Sequence, residues 1–121
     1  MKLKAMGFST SAVRWFSSYL SDRLQLVDVT GEHSTEAGIT CGVPQGSILG
    51  PLLFLIYVND MPGTVKHKLL LYADDSAILV SGKCRHGIEN ILCSEMAVLS
   101  QWLTSNKLSF HLGKTESIHN L

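Results

Sequence analysis

The stretch LLLYADDSAILV, residues 69–80, decides the fold of this chain, because it places two adjacent acidic residues between two apolar runs. Both runs have the length and composition of β-strands, and Asp is a common turn residue. The pattern predicts a β-hairpin from about Lys68 to Ser81 with Asp74 and Asp75 at its tip. Apolar residues on both sides should half bury these carboxylates, and buried charges need a counter-charge.

Two neighbouring carboxylates suit a hard divalent cation. Mg²⁺ binds through one or two carboxylates and commonly shares the rest of its coordination shell with substrate phosphates and water. Asp74 and Asp75 are therefore candidate metal ligands, and phosphoryl or nucleotidyl transfer is the first hypothesis. An Asp-Asp pair without context is more often ordinary turn chemistry, so the surrounding sequence has to decide.

The size and charge of the chain restrict the possible functions. Its 121 residues, 45% of them hydrophobic, suffice for one domain at most and are few for a nucleotide-handling enzyme. Ten basic residues balance ten acidic ones. Free-standing nucleic-acid binders usually carry a clear basic excess, so contacts with phosphates would have to be local.

Cysteine usage and hydropathy indicate the compartment. Three cysteines without a CxxC pair are typical of a reducing environment, and the Cys84-Arg85-His86 triplet lacks a second pair of donors for zinc. No charged and apolar leader opens the sequence. The longest apolar stretch, residues 48–58, is far shorter than the roughly 20 residues that a membrane span needs. The expected location is cytosol or nucleus, without membrane attachment.

Periodicity around the acidic hairpin predicts an α+β fold. Apolar spacing predicts a helix over residues 9–20 and a longer one over residues 86–105. The other predicted elements are an antiparallel hairpin over residues 23–40, a glycine-bearing loop at 41–47, a buried helix from Pro51 to about Val58, and a short strand at 108–112. We expect a small antiparallel sheet built from two hairpins, with the helices packed mainly on one face.

Two motifs in this order resemble the palm of a reverse transcriptase. They are GVPQGS at residues 42–47, leading into Leu49-Gly50-Pro51, and YADD at residues 72–75. The flanking segments, including Arg23, look like those of retrotransposons that lack long terminal repeats. The resemblance covers residues 1–121 and implies an RNA-directed DNA polymerase, with an RNA template, a DNA primer and deoxynucleoside triphosphates as partners.

The resemblance also implies a role for each motif residue. Asp74 would be the principal ligand and Asp75 the auxiliary ligand of catalytic Mg²⁺, with Mn²⁺ as the alternative ion. The residues implied to contact nucleotide, template or primer are Gly42, Pro44, Gln45, Gly46, Ser47, Tyr72 and Lys114. The Lys114 assignment departs from the family pattern, because His111 stands where an asparagine is usual.

Each of these roles also has a bland interpretation, in which the residue is only structural or solvated. The glycine-bearing loop could simply open a helix, Tyr72 could be a half-buried strand aromatic, and Lys114 a solvated lysine. The family also takes a metal-binding aspartate from a strand upstream of the segment that resembles this chain. We therefore expect that strand, the fingers and the thumb to be absent from the 121 residues, and the isolated chain to be inactive.

Two other functions remain open at this stage. One is a non-catalytic binding or assembly module that retains the palm fold, which the neutral charge slightly favours. The other is an unrelated metal-dependent phosphohydrolase that uses Asp74 and Asp75, which leaves the loop at residues 42–47 unexplained. The sequence does not indicate an oligomeric state.

Overall fold

A computed structural model describes residues 2–119 of the chain. Helices alternate with short antiparallel ladders, so the predicted α+β class is confirmed. The chain divides into two compact units, one ending at Tyr57 and the other beginning at Val58. No helix within residues 2–119 combines the length and the apolar character that a membrane crossing requires.

The first unit opens with two helices, α1 (Lys2–Ala5) and α2 (Thr10–Leu20). Ser9 caps α2, because its side-chain oxygen accepts a hydrogen bond from the backbone N–H of Ala12 at 3.2 Å. Leu3 and Val13 are buried, which places an apolar residue of each helix inside the unit. The helix predicted over residues 9–20 is therefore confirmed.

A four-strand segment follows α2 and confirms the first predicted hairpin. Strands β1 (Arg23–Gln25) and β4 (Ala37–Ile39) pair antiparallel, as do β2 (Asp28–Val29) and β3 (Glu32–His33). Thr30 and Gly31 form the tip with positive φ angles of 55° and 89°, which a tight two-residue hairpin turn requires. Helix α3 (Leu49–Val58) then carries the chain to the boundary between the units.

The second unit packs one helix against a hairpin. After a 3₁₀ turn (Met61–Thr64), strands β5 (Lys68–Tyr72) and β6 (Asp75–Leu79) form the predicted acidic hairpin, and α4 (Arg85–Ser105) is the predicted long helix. The buried core consists of Met61, Leu69 and Leu99, with partly buried neighbours that include Leu71, Ile78, Met96, Trp102 and Phe110.

Three details differ from the expectations. Within residues 2–119, the strands form three ladders, each two strands wide, instead of one sheet built from two hairpins. Residues 108–112 form no strand, because the chain leaves α4 with Lys107 at φ 55° and the N–H of Leu108 bonds back to the carbonyl of Leu103 at 2.8 Å. Helix α3 is only partly buried, with Leu52 and Leu55 nearly half exposed, so the expectation of a buried helix is wrong on that side.

A buried carboxylate ties α4 to the segment that enters β5. Glu95 is 5% exposed, and its carboxylate accepts hydrogen bonds from His67 Nδ1 at 2.8 Å and from the backbone N–H of Lys66 at 3.2 Å. The hydrogen bond from His67 lowers the pKa of Glu95, and the bond from Lys66 adds to this effect, while burial opposes it. The charged form of Glu95 therefore stabilises the fold.

This lowered pKa predicts an acid-dependent loss of stability. Above the usual glutamate pKa of about 4.5, the contribution of Glu95 is fully present, and it is lost as the pH falls through the lower pKa of the folded state. Glu95→Gln should destabilise the second unit at pH 7 and flatten its pH dependence below pH 5. Urea midpoints from Trp102 fluorescence, in a Trp15→Phe background, measure both effects.

The exposed Glu116 provides the control for this experiment. Glu116→Gln should leave the acid-side slope of the urea midpoint unchanged. An identical slope in Glu95→Gln and in the unsubstituted chain would show that the carboxylate of Glu95 does not carry the effect.

Candidate functional site

The acidic hairpin ends in a two-residue turn. Tyr72 and Asp75 form the last pair of the β5–β6 ladder, which leaves Ala73 and Asp74 as the turn residues. Ala73 has a φ of 51°, in the left-handed region that an alanine rarely adopts. Positive φ at the first turn residue is a requirement of tight hairpins, so the ladder holds this backbone conformation and places Asp74 at the apex.

Both aspartates are exposed, so the expectation that the flanking apolar runs would half bury them is wrong. The reason lies in the alternation of side chains along a strand. Leu69, Leu71 and Ile78 face the core, whereas Tyr72 and Asp75 are directly paired and share the opposite face. Tyr72 is 84% exposed, so the bland interpretation of a half-buried strand aromatic is also wrong.

The donor groups at the tip are carboxylate oxygens. Asp74 and Asp75 supply carboxylate oxygens from adjacent positions, which are the ligands that Mg²⁺ prefers. Within residues 2–119, no group of three or more histidine, cysteine, aspartate or glutamate side chains is arranged to hold a metal ion. Two carboxylates suit an ion that shares its shell with substrate phosphates and do not form an all-protein cage.

The glycine-bearing loop at residues 41–47 has the backbone that its glycines predict. Gly42 and Gly46 have φ angles of 79° and 75°, which non-glycine residues rarely adopt. Gly50 leaves little room for a side chain, since a Cβ there would lie 3.0 Å from the carbonyl oxygen of Pro44. The loop thus packs closely onto the first turn of α3.

Ser47 holds the junction between the loop and α3. Its hydroxyl donates to the carbonyl of Pro44 at 2.8 Å and accepts from the N–H of Gly50 at 3.0 Å. This is the pattern of a helix cap, and it supports the bland interpretation for this one residue. Gln45, in contrast, is exposed at the middle of the loop.

The residues singled out from the sequence fall into both units. The loop residues Gly42, Pro44, Gln45, Gly46 and Ser47 lie in the first unit, and Tyr72, Asp74, Asp75 and Lys114 lie in the second. Within the second unit, the structure brings Tyr72 and the two aspartates together at one tip. Lys114 is exposed at the end of a 3₁₀ turn, Leu112–Lys114.

Arg23 is a residue that the sequence interpretation did not assign to the site. Its guanidinium donates to the carbonyl oxygen of Gly42 at 2.8 Å, so it touches the start of the glycine-bearing loop. The two residues are 19 positions apart, and no local sequence pattern indicates such a contact.

Comparisons with known proteins agree with this arrangement of motifs. A family model described as reverse transcriptase (RNA-dependent DNA polymerase) matches residues 1–120. A probable RNA-directed DNA polymerase from transposon BS of Drosophila melanogaster is 36% identical over a match of 98 residues, with 71% of this chain and 11% of that protein covered. The RNA-directed DNA polymerase from mobile element jockey of Drosophila funebris is 31% identical over 109 residues, covering 84% of this chain and 12% of that protein.

A third relative adds to the same picture. The probable RNA-directed DNA polymerase from transposon X-element of Drosophila melanogaster is 31% identical over 106 residues, covering 84% of this chain and 12% of that protein. The chain thus spans only 11 to 12% of the length of these curated relatives. No solved structure matches the chain significantly.

Proposed function

The chain belongs to the reverse transcriptase family, as the sequence resemblance predicts, and we propose that it is the palm segment of an RNA-directed DNA polymerase of a retrotransposon without long terminal repeats. The observation that carries the proposal is the tip of the acidic hairpin, where Asp74 occupies the apex and Asp75 is exposed beside it. The proposed substrates are deoxynucleoside triphosphates, with an RNA template and a DNA primer.

In this proposal Asp74 and Asp75 hold Mg²⁺ or Mn²⁺ together with the phosphates of the substrates. An ion held by these two carboxylates would supply activation of the primer 3′-hydroxyl and neutralisation of the leaving pyrophosphate. The aspartate side chains position the metal ion and the substrates, and they take part in no covalent step. Tyr72, which lies on the same face as Asp75, is 84% exposed and offers an aromatic surface for the primer terminus.

The glycine-bearing loop contributes backbone surface for the nucleotide or template in this proposal. Gly42 and Gly46 have no side chains and are exposed, so their peptide groups are accessible. Gln45 offers both amide donors and an acceptor. Ser47 acts indirectly in this proposal, because its hydroxyl fixes the loop onto α3. Lys114 is proposed as a nearby cation for the triphosphate.

Primer extension on an RNA template tests the proposed function. The polymerase that contains this segment should extend a DNA primer with Mg²⁺ or Mn²⁺ present. The isolated 121-residue chain should show no extension, since the described residues bring no third carboxylate to the tip. Robust synthesis by the isolated chain that depends on Asp74 would contradict this proposal of an incomplete site.

A non-catalytic binding or assembly module is the second candidate, and the equal number of acidic and basic residues favours it. Salt dependence separates the two functions. A polymerase segment should bind primer-template with an affinity that falls as ionic strength rises, because phosphate contacts release counterions. An assembly module should show no such affinity.

A further inference from the structure

One arginine links two backbone segments in the first unit. The Nε of Arg23 donates to the carbonyl of Leu20 at 3.1 Å, and its Nη2 donates to the carbonyls of Gly42 at 2.8 Å and of Cys41 at 3.3 Å. These acceptors are the last residue of α2 and the first residues of the glycine-bearing loop. The guanidinium therefore joins the end of a helix to the start of the loop.

The surroundings of Arg23 distinguish it from a surface ion pair. Its side chain is partly buried, and among residues 2–119 no carboxylate lies within ion-pair distance of it. All three acceptors are peptide carbonyls, one at a helix C-terminus, where a cation is favoured and carbonyls have no intrahelical partner. The charge is thus used to hold backbone atoms.

The ladder fixes where this guanidinium lies. Arg23 pairs with Ile39 in the β1–β4 ladder. Cys41 follows Ile39 by two residues, so the guanidinium lies close to the start of the loop. Beyond the ladder, Gly42 has a φ of 79°, and because it has no Cβ its backbone is only weakly restricted by sterics. A donor on the carbonyl of Gly42 supplies the restriction that the glycine lacks.

We propose that Arg23 is a positioning residue, which holds the glycine-bearing loop in the conformation that receives the nucleotide or template. This inference rests on the proposed function for the nucleotide contact, whereas the clamp itself is a property of the chain alone. Free loops populate several conformations, and apparent affinity falls in proportion to the fraction that is competent to bind. Arg23 raises that fraction.

The proposal requires an arginine and not merely a cation. The planar guanidinium presents donors in several directions from one rigid group, and here it reaches acceptors on two separate segments. A lysine carries one ammonium on a flexible stem and cannot hold both segments in the same geometry. Arg23→Lys therefore keeps the charge and removes the clamp.

NMR on the 121-residue chain tests the clamp directly. In the unsubstituted chain, the backbone amides of Gly42 and Val43 should have order parameters near the rigid value of about 0.85, and the Nε proton of Arg23 should give a resolved, slowly exchanging signal. Arg23→Lys should lower those order parameters to about 0.6 or below. Arg14→Lys, on the exposed side of α2, is the matched control and should change neither.

Steady-state kinetics in the polymerase that contains this segment test the consequence. Arg23→Lys should raise the KM for deoxynucleoside triphosphate about tenfold, with kcat changed less than twofold, because the chemistry at the acidic tip is untouched. Gly42→Ala changes the other partner of the contact between Arg23 and the loop. The double variant should be no worse than the poorer single variant, since both changes release the same loop from one conformation.

Each arm can fail separately. Unchanged order parameters in Arg23→Lys would overturn the clamp whatever the enzyme does. A loosened loop with wild-type KM, or a loss confined to kcat, would overturn the positioning role. A polymerase containing the segment that shows no RNA-templated extension would overturn the proposed function, while the NMR arm would still decide the clamp.

Discussion

Asp74→Asn should lower primer extension by the polymerase that contains this segment by roughly 10³-fold, the size of effect seen when one preorganised electrostatic group is removed from an active site. Asn keeps the size and the turn propensity of Asp, so the hairpin tip should persist. What is lost is the negative charge at the apex, which is exposed and one residue from Asp75. The measurement is kcat for single-nucleotide addition on an RNA template.

Two further variants sharpen the Asp74 experiment. Asp75→Asn should cost less, since Asp75 is proposed as the auxiliary ligand. Glu36→Gln removes an exposed charge from the first unit and should leave kcat within twofold. If Asp74→Asn retained full activity with a normal circular dichroism spectrum, the hairpin tip would not be the metal site.

Leu99→Ala should cost the second unit about 3 kcal/mol of unfolding free energy, because truncating a buried leucine combines lost burial with a residual cavity. Leu99 is the most buried of the core residues, at 3% exposure, and lies on α4 in a cluster with Met61 and Leu69. With a urea m-value near 1.5 kcal/mol/M, the midpoint should fall by roughly 2 M. Trp102 fluorescence in the Trp15→Phe background reports this unit.

Val98 supplies the matched control, one position earlier on the same helix and 40% exposed. Val98→Ala should change the unfolding free energy by no more than about 0.5 kcal/mol, as is usual for surface substitutions. Equal destabilisation by the two variants would mean that Leu99 does not anchor the core. The core of the second unit also supports the acidic hairpin. The Asp74 experiment therefore tests the charge at the tip, and the Leu99 experiment tests the packing beneath it.

The elements that the sequence predicts well are those set by strong local patterns. The apolar stripe of α4, with Met96, Leu99, Trp102 and Leu103, matches the period of a helix and does face the core. The acidic hairpin also forms where its two apolar runs predict it. In both cases the local preference and the packing agree, which makes the pattern informative.

Burial was harder to predict, because it depends on which other elements are present. The sequence around Asp74 and Asp75 predicts half-buried charges, whereas the structure leaves both exposed at a tip beyond the core. Helix α3 shows the same limitation, since its apolar residues on all sides predicted burial and Leu52 and Leu55 stay nearly half exposed. An apolar side chain is more stable when it is buried, but the other elements of the fold determine whether it is covered.

Contacts distant in sequence were not predictable at all. The buried carboxylate of Glu95 meets His67 from 28 positions away, and the guanidinium of Arg23 meets Gly42 from 19 positions away. A single polar residue gives no period to detect. Both groups are bonded to backbone N–H or carbonyl groups, whose partners only the three-dimensional path of the chain determines.

The left-handed backbone at Ala73 has a consequence for the order of folding. An alanine in that region costs about 1 kcal/mol relative to a relaxed conformation, and the turn alone returns little of it. The pairs Leu69↔Ile78 and Leu71↔Ser76 must therefore hold the strands together before the apex becomes stable. The acidic tip should then be among the last parts of the second unit to become ordered, and the first to open when the ladder weakens.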